Sequence, residues 1–171
     1  MNLLTPTLTL DKLIDIDINL LKKLKVNSLL IDADNTLAKH GSNDPAEGVL
    51  KWIETMKANG YNLIILSNNF KKRVSSFAKL LSIPYVNFSM KPLPFGIMKA
   101  KRILNASKKE MILIGDQIFT DILGANIYGI KSILLNPLFE YETKGIKIKR
   151  KFENKIRKKL KKRGDPFEFI K

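Results

Sequence analysis

Cysteine is absent from the sequence. Disulfides and thiolate metal sites are therefore excluded, and a reducing compartment, cytoplasmic or matrix-like, is the compatible setting. Histidine is almost absent too. His40 stands alone in a loop-like stretch and reads as solvated, not as a ligand. No uncharged apolar run approaches the roughly 18 residues of a membrane-spanning helix. The opening "MNLLTPTLTLDK" lacks the basic n-region of a secretory signal. These absences point to a soluble or peripheral protein. Acids are scarce, with 16 Asp and Glu against 31 Lys and Arg, a formal charge of +15.

The basic excess is local. Residues 144–163, "KGIKIKRKFENKIRKKLKKR", hold twelve basic residues and one acid, so eleven of the fifteen net charges sit there. An anionic partner, lipid or nucleic acid, is one explanation. A plain lysine bias is the other. Within this segment Ile148, Phe152, Ile156 and Leu160 recur every four residues. A basic helix with such a stripe can lie peripherally on the inner surface of an anionic membrane. Equally, the stripe can pack on the domain with the lysines in solvent. RNA or ribosome binding through phosphate contacts is the third reading, and few aromatics accompany it to signal base stacking.

What remains is an ordinary globular composition, 44% hydrophobic over 171 residues, enough for one compact domain with a real core. From Ser28 onward, short apolar runs alternate with helical periods. "SLLIDA" (28–33), "YNLIILS" (61–67), a weaker "PYVNFS", "MILIGD" (111–116) and "IKSILLN" read as strands. The segments between them, such as "PAEGVLKWIETMKANG" with Pro45 in its first turn, read as helices. Trp52 on that helix reads as core or cover. The alternation predicts an α/β fold, a three-layer Rossmann-like arrangement of mostly parallel strands with helices on both faces. Residues 1–27 fit either a broken helix or an alternating strand, and are expected to pack on the core. Residues 28–143 form the main domain and 144–171 a basic amphipathic helix and tail.

Ligand sites in open parallel sheets form at the carboxyl ends of strands. There the first strong strand ends in Asp32 and Asp34, the next in Ser67, Asn68 and Asn69, and the third in Gly115 and Asp116, with Asp121 five residues on. Lys91 follows the weak strand. Three carboxylates so close repel one another, which a hard divalent cation resolves. Mg²⁺ prefers such oxygen ligands together with a substrate phosphate. Asp32, at the strand end, suits a nucleophile that becomes an aspartyl-phosphate. Asp34, two residues on, suits the acid and base. Ser67, with Asn68 and the amides after it, suits phosphate oxygens at the start of the next helix. Local capping and turn roles account for Ser67, Asp121 and the Asp32–Asp34 pair on the plainer view. Gly124 and Gly129 lack dinucleotide-fingerprint spacing.

"DADNTL", "IILSN", "MKP" and "GDQIFTD" resemble, in order, the four motifs of the haloacid dehalogenase (HAD) superfamily. "SNN", the Lys-Pro pair, "GDQ..TD.LGAN..G" and the basic C-terminal segment resemble its YqeG-type subclass IIIA phosphatases, which are related to the mitochondrial phosphatidylglycerophosphate phosphatases. The resemblance implies Mg²⁺-dependent hydrolysis of a phosphomonoester. It implies Asp32 as nucleophile and Asp34 as acid/base. It also implies Mg²⁺ on Asp32, Asp116 and the Asp34 backbone carbonyl, and phosphate on Ser67 and Lys91. Asp121 and Thr36 stand behind the ligands. The loop at about 38–44 is too short to fold as a separate cap, so the site is expected to be open to a large or membrane-held substrate. Phosphatidylglycerophosphate is the expected substrate. A soluble or nucleic-acid-linked phosphate, or a HAD-fold RNA-binding module, is the alternative.

Overall fold

A computed structural model describes residues 2–39, 42, 44–139 and 144–161, with side chains of 144–150 and 161 left aside. His40 and the whole tail beyond the last helix, residues 162–171, therefore lie outside the described residues.

Apolar runs without alternation become strands buried on both faces. Such runs form β2 (Ser28–Ile31), β3 (Asn62–Leu66), β5 (Met111–Gly115) and β6 (Lys131–Leu135). Two short strands, β1 (Leu8–Leu10) and β4 (Tyr85–Val86), complete a sheet of order β1-β6-β5-β2-β3-β4. Every pairing is parallel. Successive side chains alternate between the faces. Leu29 and Ile31 join the larger core with Trp52, Ile53 and Phe77 of α2 (Val49–Ala58) and α3 (Lys71–Leu81). Leu30 points the other way, to Ile97 and Ala100 of α4 (Phe95–Leu104) and Ala125 of α5 (Leu123–Tyr128). The three-layer expectation is met.

Register carries the sheet into the site. Ser28 pairs with both Asn62 and Met111, and Ile31 with both Ile65 and Ile114. The three central strands therefore start level and end level. Their first polar residues emerge on one rim.

The ambiguous N-terminus resolves into three pieces. Leu8–Leu10 adds an edge strand to β6. The Ile-Asp-Ile-Asp-Ile stretch is no strand, because its acids cap turns. Asp15 Oδ2 accepts from the Lys12 amide at 2.8 Å, and Asp17 Oδ1 accepts from the Leu20 amide at 2.7 Å, starting the short helix α1 (Ile18–Lys23). Trp52 is buried and its Nε1 donates to the Ile16 carbonyl at 2.8 Å, pinning this segment to α2. Helix α2 begins at Val49, not at Pro45. Gly48 sits at φ 80°, which a right-handed helix cannot include, and Pro45 instead bridges to Ala38.

The last helix, α6 (Lys144–Lys161), docks on the domain through half of the anticipated stripe, Ile156 and Leu160, while the Ile148 side chain lies outside the described residues. A four-residue repeat drifts by ~40° per step around a 3.6-residue helix. Phe152 consequently faces outward and is exposed, while Glu153, Ile156, Arg157 and Leu160 make the seam. Ile156 and Leu160 cover Ile118, Ile122 and Leu134. Glu153 is fully buried and its Oε1 accepts from the Phe119 amide at 3.1 Å. Arg157 donates to the carbonyls of Asp116 (2.5 Å) and Leu135 (3.0 Å), so the helix is rooted at the ends of β5 and β6. Lys151, Lys155, Lys158 and Lys159 remain exposed.

Candidate active site

Asp32 follows directly on β2, and its amide donates to the Ile114 carbonyl at 2.9 Å, which continues the ladder and fixes the residue. Its partner arrives from the loop between β4 and α4. Lys91 Nζ lies 2.5 Å from Asp32 Oδ1, 2.8 Å from Asp121 Oδ1 and 2.8 Å from the Leu66 carbonyl. An ammonium has three donors, and these partners use them all. Asn68 holds the lysine's backbone from both sides. Its Oδ1 accepts from the Lys91 amide at 2.9 Å and from Ser89 Oγ at 2.7 Å, and its Nδ2 donates to the Lys91 carbonyl at 3.1 Å. The Asn68 side chain thus positions this loop, beside the phosphate contact that the sequence assigns to the residue.

Asp116 ends β5 and is fully buried. Asp121 belongs to a five-residue π-turn, Ile118–Ile122, where the wider winding brings its carboxylate back over Gly115. A Cβ at Gly115 would collide with Asp121 Cγ, so only glycine admits this return. Asp121 Oδ2 accepts from the Gln117 amide at 3.0 Å. One oxygen each from Asp32, Asp116 and Asp121 lies within 4.8 Å of the others. Asp121 thus contributes an oxygen to this cluster while its Oδ1 holds Lys91.

The electrostatics follow from burial. Desolvation holds the Asp32 carboxyl well above the usual carboxylate range; Lys91 pulls it down, and Asp121 and Asp116 push it up. Burial alone would lower Lys91, but the carboxylates of Asp121 and Asp32 outweigh it and raise its pKa. Lys91 bridges Asp32 and Asp121, and Asp32 Oδ2 is buried without a hydrogen-bond partner. A buried, all-oxygen set of this kind fits a hard divalent cation.

Asp34 stands two residues beyond Asp32, just after β2. Its carboxylate accepts from Asn69 Nδ2 and pairs with Arg73 of α3. Ser67 is buried and its Oγ accepts from the Asn69 amide at 3.1 Å. Thr36 is buried with a hydroxyl that has no hydrogen-bond partner. Asn69 and Arg73 carried no assigned role in the sequence. Arg73 falls one helical turn after Asn69, but it reads there as one of three adjacent cations.

Parallel strands that deliver carboxylates, a serine and a lysine to one rim define a phosphatase of the HAD type. The chain belongs to the family described as mitochondrial PGP phosphatase, whose model matches residues 1–138. It is 33% identical over 144 residues to "Probable phosphatase YqeG" of Bacillus subtilis (strain 168), covering 84% of each chain. Among solved structures, an uncharacterized protein from Listeria monocytogenes serotype 4b superposes with a TM-score of 0.54 at 17% identity, over 69% of this chain and 85% of that one. A hypothetical protein from Xanthomonas campestris gives 0.51 at 13% identity, over 74% and 72%. At such identities these two structures speak to the fold alone.

Two outcomes test the charge balance. Replacing Lys91 by Met leaves the acids uncompensated in a buried place, and urea unfolding should show a loss of about 3–5 kcal/mol. A loss below about 1 kcal/mol would show that the cluster is solvated. Asp32 binds its proton more tightly folded than unfolded. In metal-free protein its contribution to stability therefore falls as pH rises from the unfolded value near 4 through the raised folded value. Asp32→Asn removes that decline. In EDTA the variant should match wild type near pH 4 and gain on it by pH 8. A wild type more stable than the variant at pH 8 would mean that the Lys91 attraction exceeds the desolvation cost.

Proposed function

We propose that this phosphatase is a Mg²⁺-dependent phosphomonoesterase that works through phosphorylated Asp32 and acts on phosphatidylglycerophosphate at a membrane surface. The observation that carries the chemistry is the buried meeting of Asp32, Asp116 and Asp121 around Lys91, with one Asp32 oxygen left unbonded. Asp32, Asp116 and the Asp34 backbone carbonyl would hold Mg²⁺, which when bound offsets the acids and polarises the phosphoryl group.

An oxygen of Asp32 attacks phosphorus as the bond to the alcohol oxygen breaks, and Asp34 gives that oxygen its proton. Asp34 then takes a proton from a water whose oxygen attacks the same phosphorus. The bond to Asp32 breaks, and inorganic phosphate and free Asp32 remain. Asn69 and Arg73 set the orientation of the Asp34 carboxylate for both transfers. Lys91 keeps Asp32 aimed and partly neutralised, Asp121 holds Lys91, and Ser67 with the amides after it receives phosphate oxygens.

The lipid substrate is supported by three features. The matching family is described as a PGP phosphatase. Among the described residues, only α3 and β4 lie between β3 and Lys91, so nothing there roofs the mouth. Exposed lysines on α6 offer charge to an anionic surface.

With Mg²⁺, purified protein should hydrolyse micellar phosphatidylglycerophosphate in preference to a panel of soluble phosphate esters. Chelation should stop the reaction, and Asp32→Asn should abolish it with the fold retained. Preference for a soluble or nucleic-acid phosphate would overturn the lipid assignment. Appreciable activity in the Asp32→Asn variant would remove Asp32 as nucleophile.

A further inference from the structure

Large apolar side chains crowd the mouth of the site and are left in solvent. Phe70, at the end of the β3 loop, is 77% exposed, and Phe88, on the loop that carries Lys91, and Phe95, the first residue of α4, are each 59% exposed. Met90, Leu93 and Met98 of the same loop and of the start of α4 are exposed as well. Singly exposed apolar residues are common, but a concentration beside a site marks an interaction surface. The Phe70 and Phe88 rings lie 6.2 Å apart by centroid.

This face is held rigidly. The Phe88 amide donates to the Asn69 carbonyl at 3.0 Å, the Ser89 amide to the Ser67 carbonyl at 2.9 Å and the Leu93 amide to the Met90 carbonyl at 2.8 Å. Gly96 lies so close to Ser89 that a Cβ would come within 2.5 Å of its carbonyl oxygen. Such bonds display the apolar groups by construction, and the loop they fix is the one that aims Lys91.

The surrounding charge tells what covers the face. Residues 55–109 contain eleven Lys and Arg and no Asp or Glu, though Arg73 and Lys91 are paired with the site's acids and Lys108 and Lys109 lie at the far end of the sheet. Lys71 and Lys72 directly follow Phe70 and are exposed, as is Lys99 on α4. A second copy of the chain would bring like charge against like charge. An anionic bilayer satisfies both parts, since aromatic rings settle at the interface while lysines meet headgroups.

We propose that the face built from Phe70, Phe88 and Phe95 is the surface by which this protein docks on an anionic bilayer, seating the Asp32–Lys91 site against the headgroup layer. The proposal deepens the lipid reading above and rests on it. It assigns insertion to the mouth of the site, with α6 adding only electrostatic attraction.

The test uses the full chain and vesicles of phosphatidylcholine with or without phosphatidylglycerol. Wild type should cosediment with the anionic vesicles only. Phe70→Ser with Phe88→Ser should lower that partitioning roughly tenfold or more, from lost apolar burial. Phe88→Trp should keep binding, and brominated lipid should quench its fluorescence beyond the signal of Trp52. Unchanged partitioning of the double Ser variant would overturn the proposal and leave α6 as the anchor. An indole introduced by Phe88→Trp that is blind to brominated lipid would overturn it too. So would a double variant whose only change, by sedimentation velocity, is lost self-association. Phosphate-ester turnover is scored separately. A lipid-buried indole in a Phe88→Trp protein inactive on every ester would sink the substrate reading and leave this surface standing. Turnover of the lipid substrate, with binding indifferent to the phenylalanines, would do the reverse.

Discussion

One ammonium holds this structure's working end together. Lys91 lies between two buried carboxylates and the end of β3, and three separate segments are tied through it. Without a positive charge there, Asp32, Asp116 and Asp121 could not share a space from which water is largely removed. Much of the neighbouring architecture serves that placement. The level register of β2, β3 and β5 presents the acids on one rim. Asn68 clamps the lysine's backbone, and the bare Cα of Gly115 makes room for Asp121.

The arrangement is stabilised incompletely, and its function depends on that. Burial, with the neighbouring Asp121 and Asp116, holds Asp32 above its ordinary range against the pull of Lys91. A carboxyl held that way is favoured by further positive charge nearby, which suits a divalent cation and the developing charge of phosphoryl transfer. The rest of the domain supplies the stability that tolerates it, through two apolar cores on opposite faces of the sheet.

The fold was legible where burial acts on both faces of a strand. β2, β3, β5 and β6 are continuous apolar runs, and they differ from their expected bounds by a residue or two. β1 was not legible, because three residues, Leu-Thr-Leu, become a strand only through the edge that β6 offers. Asp32, Asp34, Asp116 and Lys91 could be singled out because strand ends in a parallel sheet collect at one rim. The place of Asp121 depends on a π-turn, which leaves no periodic trace. The pairing of Asp34 with Asn69 and Arg73 joins segments 35 and 39 residues apart. On α6 the four-residue repeat located only part of the seam, Ile156 and Leu160, since true helical geometry turns Phe152 outward.

The central claim is that Asp32, aimed by Lys91, takes the phosphoryl group. Acid quenching during turnover, followed by proteolysis and mass spectrometry, tests it most directly. The account predicts a phosphoryl adduct on the peptide that carries Asp32, located at that residue and absent from the Asp32→Asn variant. An adduct on Asp34 or any other residue during active turnover would contradict it.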